Sequence, residues 1–172
     1  MVERIYTLSK NGQRRLAFEA DGWQEVMKAT NYFEIEGYGI QWISNGKTTT
    51  VTGDGQILFA TPTTDLKKVI VVFPYTSKYY PPPGNAVVYT SEGDIYERLF
   101  VPELISKLGR DRTEFMTELN KYDVYFLSVA MRKVKHHLSI CIDIGFLIDW
   151  MESRLYSPEE NTFGNCVDSG RI

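Results

Sequence analysis

Few residues in this chain could do chemistry, and their spacing argues against most of it. The only two histidines, His136 and His137, are neighbours. On a strand their rings point to opposite faces and cannot share one metal ion. They close the basic run Arg132-Lys133-Val134-Lys135-His136-His137, which reads either as a solvated turn or as a patch for an anion or an acidic partner. The run alone carries too few cations to neutralise several phosphates. Cys141 and Cys166 sit in neither C-x-x-C nor zinc spacing and have no adjacent activating group. A hydrolytic triad lacks its G-x-S-x-G elbow. Gly37-Tyr38-Gly39 lacks the following glycine and the helix of a phosphate-binding loop. No cofactor and no metal site is expected.

Carboxylates are the remaining candidates for catalysis. Glu34 with Glu36, Asp143 with Asp149, and Glu92 with Asp94 are spaced for acid–base work on a glycoside or similar substrate. The same residues at turns and strand edges would otherwise solvate the surface and discourage edge-to-edge association. Protein recognition fits two other stretches better. One is Tyr79-Tyr80-Pro81-Pro82-Pro83, where rings on a stiff backbone offer contact area at low entropic cost. The other is Asp149-Trp150-Met151-Glu152, an aromatic residue between acids. The candidate partner-binding residues are therefore Tyr79, Tyr80, Glu92, Asp94, Asp149, Trp150 and Glu152.

The elements that must position these groups are mostly hairpins. Four stretches repeat one design, an extended run, a short polar corner, and a second extended run. They span 5–18 around Asn11-Gly12, 40–51 around Asn45-Gly46, 87–101 around Gly93-Asp94, and 154–167 around Glu160-Asn161. In the first, Leu16 and Phe18 are expected on one face. Residues 21–31 read as a helix, with Asp21 as cap, Gln24 completing a capping box, and Trp23, Val26 and Met27 on the buried side. Gly37 and Gly39 mark a bulge or a close backbone approach. The continuous apolar run 69–73 suits a central strand covered on both faces. Residues 76–85 form a stiff extended loop, either a subdomain junction or, as preferred here, a long connection within one sheet. Residues 102–120 suggest a short helix or irregular excursion, with Asp111 near its start and Phe115, Met116 and Leu119 at helical spacing. Strands are expected at 122–131 and 138–144, the latter alternating Leu138, Ile140, Ile142 and Ile144 against Ser139, Cys141 and Asp143. Residues 168–172 read as a frayed tail. The fold class is mainly β on the margin of α+β, with antiparallel hairpin-built sheets in a sandwich, barrel or partial propeller and one or two short helices.

Composition bounds the rest. The 172 residues suffice for a single domain with a real core. Apolar content of 43% and charged content of 24% place the chain among ordinary globular proteins. Eleven tyrosines, nine phenylalanines and three tryptophans favour half-buried pleated surfaces. A net charge of −3 gives no nucleic-acid footprint. The start Met1-Val2-Glu3-Arg4-Ile5-Tyr6 is no signal peptide, and the apolar region 138–150 is broken by Asp143 and Asp149. A soluble cytoplasmic protein with free thiols, off the membrane, is expected.

The hairpin Val87-Val88-Tyr89-Thr90-Ser91-Glu92-Gly93-Asp94-Ile95-Tyr96-Glu97-Arg98-Leu99 and the stretch from Asp149-Trp150-Met151-Glu152 through Phe163-Gly164 resemble small β-rich bacterial immunity proteins of polymorphic and contact-dependent toxin systems. The resemblance covers about a third of the chain and rests mostly on hairpin chemistry. It implies a cytoplasmic, non-enzymatic inhibitor that covers a toxin's active site, with a protein partner. The alternatives are a hydrolase or carbohydrate-acting enzyme using paired carboxylates, and a structural component of a phage or secretion assembly.

Overall fold

The computed structural model describes residues 1–114 and 123–172. Its elements in chain order are β1 (Val2–Leu8), β2 (Arg14–Glu19), α1 (Trp23–Ala29), β3 (Tyr32–Phe33), β4 (Ile35–Gly37), β5 (Gly39–Ser44), β6 (Lys47–Thr52), β7 (Leu58–Pro62), β8 (Lys68–Val72), β9 (Ala86–Thr90), β10 (Ile95–Leu99), α2 (Lys107–Thr113), β11 (Val124–Val134), β12 (His137–Phe146), β13 (Trp150–Ser157) and β14 (Thr162–Arg171). They build three antiparallel sheets, not closed into a barrel. Sheet I has the order β2-β1-β5-β6, sheet II β10-β9-β8-β7-β4, and sheet III β14-β13-β12-β11-β3.

Sheet II is the middle layer. On β8, Val69 and Val71 enter one apolar cluster with Ile5, Ile40 and Trp42 of sheet I. Ile70 and Val72 point the other way, into a second cluster with Ile140, Ile142 and Ile144 of sheet III. Successive side chains of a strand face opposite sides, so a strand between two apolar clusters is apolar throughout. That is why residues 69–73 read as one unbroken apolar run.

The expected hairpins form, and the turns do what their residues allow. Asn45 and Gly46 both take positive φ, at 50° and 72°, between β5 and β6. Gly93 at φ 94° turns β9 into β10, and Asn161 at 52° turns β13 into β14. Gly37 is the close approach its position suggested, since a Cβ there would stand 3.0 Å from the Thr7 Cβ. Residues 73–85 join β8 to β9, direct neighbours in sheet II. The chain from 32 to 44 visits all three sheets, with β3 in sheet III, β4 in sheet II and β5 in sheet I.

Several local expectations are corrected. Asp21 does not cap α1: the N-cap is Gly22, with no side-chain hydrogen bond, and Val26 is exposed while Trp23 and Met27 are buried. A register shift between Ile5 and Tyr6 opposite β2 separates Leu16, exposed, from Phe18, buried. The helix between 102 and 120 begins at Ser106, whose Oγ accepts from the Gly109 N–H; Asp111 lies within it. Phe115, Met116, Leu119 and Tyr122 lie outside the described residues. Residues 168–171 are not frayed but pair with β13, Arg171 opposite Trp150. No helix among the described residues is long and apolar enough to cross a membrane.

Candidate functional site

The carboxylate pairs separate in space by role rather than by sequence. Asp143, on the outer face of β12, is buried and accepts from the Arg132 guanidinium at 2.6 Å and from the Ser128 hydroxyl at 2.9 Å. Arg132 also reaches the Ser153 Oγ at 3.2 Å and lies over the Tyr32 ring. The Tyr32 hydroxyl donates to Glu34 at 2.7 Å. Glu34, at the step from β3 to β4, thereby meets Asp143 across 109 residues of chain, a pairing that no short spacing could signal. Arg132 is thus no part of a solvated turn; it is the counter-ion of a buried acid. Asp149, the expected partner of Asp143, is exposed at the end of the sheet instead.

Burial raises the Glu34 carboxyl above its ordinary range, the Tyr32 and Ser128 hydroxyls pull it back, and the Asp143 and Glu36 charges add to the rise. A raised acid with a charged acid beside it is the pattern of acid–base catalysis. Here the acids differ in access: Cys141 and Ser153 are fully buried and Asp143 is 5% exposed, whereas Glu34 and Arg132 are half-buried and Tyr32 is exposed. Burial pushes the thiols of Cys141 and Cys166 up, away from thiolate chemistry. The arrangement ties β3, β11, β12 and β13 together.

A pH prediction follows. An acid whose folded pKa is raised is harder to ionise in the folded than in the unfolded state, so it lowers stability as pH rises through its unfolded value and beyond. Glu34→Gln is therefore expected to raise stability at pH 7, by less than about 1 kcal/mol after solvent screening, and to leave it unchanged near pH 3. Urea denaturation at both pH values checks this; an equal effect at both would refute it.

The expected partner-binding residues fall into three groups. Glu152 is fully buried, paired with Arg154, and out of reach of any partner. Tyr80 is half-buried and packs on Phe73 at the edge of the core, ring centroids 4.5 Å apart. Glu92 accepts from Ser44 at 3.1 Å and from Asn45 at 2.9 Å, which fastens the β9–β10 turn to the β5–β6 turn; Asp94 beside it is exposed. Tyr79, Asp149 and Trp150 remain, and they lie at the opposite end of β9 from Glu92.

That end is an apolar face. Two loops and a hairpin tip build it. The 74–85 loop is held down by Arg98, which donates to the carbonyls of Gly84 at 2.7 Å and Pro81 at 3.1 Å, and by Asn85, whose side-chain amide joins Phe73 to Phe126. The loop presents Tyr75, whose ring meets Tyr125, and Tyr79, 72% exposed. Phe100 stands beside it, exposed, under the Arg98 guanidinium. The β12–β13 tip adds Ile148, at 82% the most exposed large apolar side chain among the described residues. Trp150 follows, half-buried, with Arg112 of α2 stacked 4.2 Å from its ring centre. Asp149 holds Arg171 at 3.7 Å, and Ile172 closes the rim.

The tip is strained. Leu147 and Ile148 both take left-handed backbone, at φ 50° and 69°. For a β-branched residue that conformation is an outlier, costing about 1–2 kcal/mol. An apolar, β-branched side chain held outward on such a backbone opposes both solvation and local conformational preference. Ile148, Tyr75 and Phe100 escaped the sequence reading; only the isoleucine between Leu147 and Asp149, at a sheet-reversing position where asparagine or glycine is the rule, carried a signal.

Among the described residues no group of three or more His, Cys, Asp or Glu side chains is gathered as a metal site would require. Comparison of the chain with known protein families, curated proteins and solved structures finds no match.

Proposed function

We propose that this chain is a protein-binding module, and specifically an immunity protein that neutralises a cognate bacterial toxin in the cytoplasm by covering the toxin's active site. The strained, outward-facing Ile148 carries this reading. A side chain kept apolar and exposed at a conformational cost marks a surface selected for contact. Tyr75, Tyr79, Phe100 and Trp150 around it are of the types that anchor protein interfaces. The buried ties of Asn85 and Arg98 hold their loop in place before any partner arrives, which lowers the entropic cost of association. Of the acids first considered, Asp149 alone lies on this face, and it supplies the charge that would meet a basic group of a nucleic-acid-cleaving toxin.

The test is copurification with the product of the adjacent upstream gene, together with rescue from its toxicity. Ile148→Asn is expected to weaken binding by about 10- to 100-fold. Because asparagine tolerates left-handed backbone, the same change should raise the Tm by about 2–4 °C. A weaker binder that is a more stable fold would separate contact from scaffolding. Unaltered binding and rescue in Ile148→Asn and Trp150→Ala would overturn the assignment of this face, and absence of both binding and rescue in the natural chain would overturn the immunity role.

A further inference from the structure

A second surface, between α1 and the β11–β12 turn, has basic groups over an apolar floor. A groove of about 420 Å³ runs between α1 and the β11–β12 turn. Trp23 and Met27 form its floor, with Thr64 from the β7–β8 connection at one side. Its ionisable lining is basic: Lys28 from α1 and Lys133 and His136 from the hairpin, with no aspartate or glutamate. The basic run of the sequence is thus divided. Arg132 turns to Asp143, while Lys133 turns to the groove and donates to the Lys28 carbonyl at 2.5 Å. That hydrogen bond uses one of three ammonium donors and joins helix and hairpin. Lys28 shares its charge with Glu25 at 2.5 Å, both well exposed, a pair of little net strength that a competing carboxylate can replace. Lys135 and His136 are fixed in left-handed backbone at φ 48° and 72°, so the hairpin tip has a defined shape.

We infer that this groove docks an acidic, extended segment of a partner protein, which seats one apolar side chain against Trp23 and Met27 and lays carboxylates against Lys28, Lys133 and His136. Charge complementarity selects the occupant: Lys28 and Lys133 are cationic, and no acid lines the apolar floor. A nucleic acid could stack a base on Trp23 but finds too few cations for a run of phosphates. A bilayer cannot enter a concavity of this size, whereas one bulky side chain with flanking carboxylates fills it. The inference stands apart from the immunity reading, since neither the groove nor its test involves the end face.

The experiment is an NMR titration of the full 15N-labelled chain with a synthetic peptide in which a single phenylalanine is flanked by aspartates and glutamates. The indole N–H of Trp23 reports the groove. That of Trp42, which donates to the Ser91 carbonyl in the core at 2.9 Å, is the internal reference. The acidic peptide is expected to shift Trp23 and leave Trp42 in place. Lys133→Glu should weaken binding about ten-fold, as should raising sodium chloride from low to high concentration, which screens exposed charges. His136→Asp, a residue type that tolerates left-handed backbone, should do the same and guards against a misfolded first variant. The inference is overturned if Trp23 does not move at millimolar peptide, or if both variants bind as the natural chain does. It is equally overturned if the peptide with asparagine and glutamine in place of its acids binds as well. Tighter binding of a single-stranded oligonucleotide, or of phosphatidylserine–phosphatidylcholine vesicles, would also exclude a peptide as the occupant.

Discussion

Glu152→Ala is expected to destabilise the fold by about 3–5 kcal/mol, a large part of the total stability of a domain this size. The carboxylate is fully buried on the inner face of β13. It accepts from the backbone N–H groups of Ile105 at 3.2 Å and Ser106 at 2.9 Å, and from Arg154 at 3.1 Å. Ser106 is the N-cap of α2, so Glu152 anchors the start of that helix to the sheet. Alanine would leave two amides without an acceptor and the buried Arg154 without a counter-charge. Arg154 would keep only its bonds to the carbonyls of Gly164 at 2.8 Å and Glu103 at 2.9 Å, and these do not neutralise it. Removing both charges, as Glu152→Leu with Arg154→Leu, should be milder than the single change, because an unpaired buried charge costs more than an absent pair. Urea denaturation of Glu152→Leu, Arg154→Leu and the double variant, read as a cycle, measures the coupling. If Glu152→Ala costs less than about 1 kcal/mol, the acid is not the anchor described here.

Asn85→Ala is expected to cost about 3 kcal/mol or more, from three buried hydrogen bonds lost at once with their backbone partners left unsatisfied. Asn85 is fully buried. Its Nδ2 donates to the carbonyls of Phe73 and Phe126, both at 2.7 Å, and its Oδ1 accepts from the Phe126 N–H at 2.9 Å. One side chain thereby joins sheet II to sheet III and closes the base of the 74–85 loop. The consequence for binding follows from that position. With the base open, Tyr75 and Tyr79 lose the pre-organisation on which the end face depends, and partner affinity should fall with stability. Asn85→Asp tests the geometry: it keeps the acceptor for Phe126 but removes both donors and buries a charge, so it should be no milder than alanine. Thermal denaturation and partner binding of both variants check this; an Asn85→Ala protein with unchanged Tm would refute the bridging role.

These two residues show where the sequence stops. Neither was legible as structural. Asn85 follows Pro-Pro-Pro-Gly and reads as one more loop residue, because its three partners lie 12 and 41 positions away. Glu152 sits beside Trp150 in an acidic stretch and reads as part of an outward surface. The one local hint is that Glu152 and Arg154 are two apart, opposite in charge, and followed at the same spacing by Tyr156, which on a strand places all three on one face. Alternation says that they share a face but not which face is covered. Asp143 makes the same point from the other side of sheet III. Its alternation with Ile142 and Ile144 marked a polar face, correctly, yet that face is also buried, because Arg132 and Tyr32 fold over it.

The sequence by itself determined the hairpins, since a turn is decided within four residues by which of them accept positive φ, as at Asn45-Gly46 and Gly93. It determined the antiparallel pairing that such turns impose, and the two-sided burial of β8, since a strand that packs between two apolar clusters shows an unbroken apolar run. Tertiary structure alone decided that the strands sort into three stacked sheets and that Glu152 and Asp143 are interior. It also decided that Tyr75, Tyr79, Phe100, Ile148 and Trp150, from separate segments of the chain, lie at one end. The physical reason is range. Turn and strand preferences act between neighbours, whereas burial depends on what distant segments bring to the other side, and no single stretch of chain carries that information.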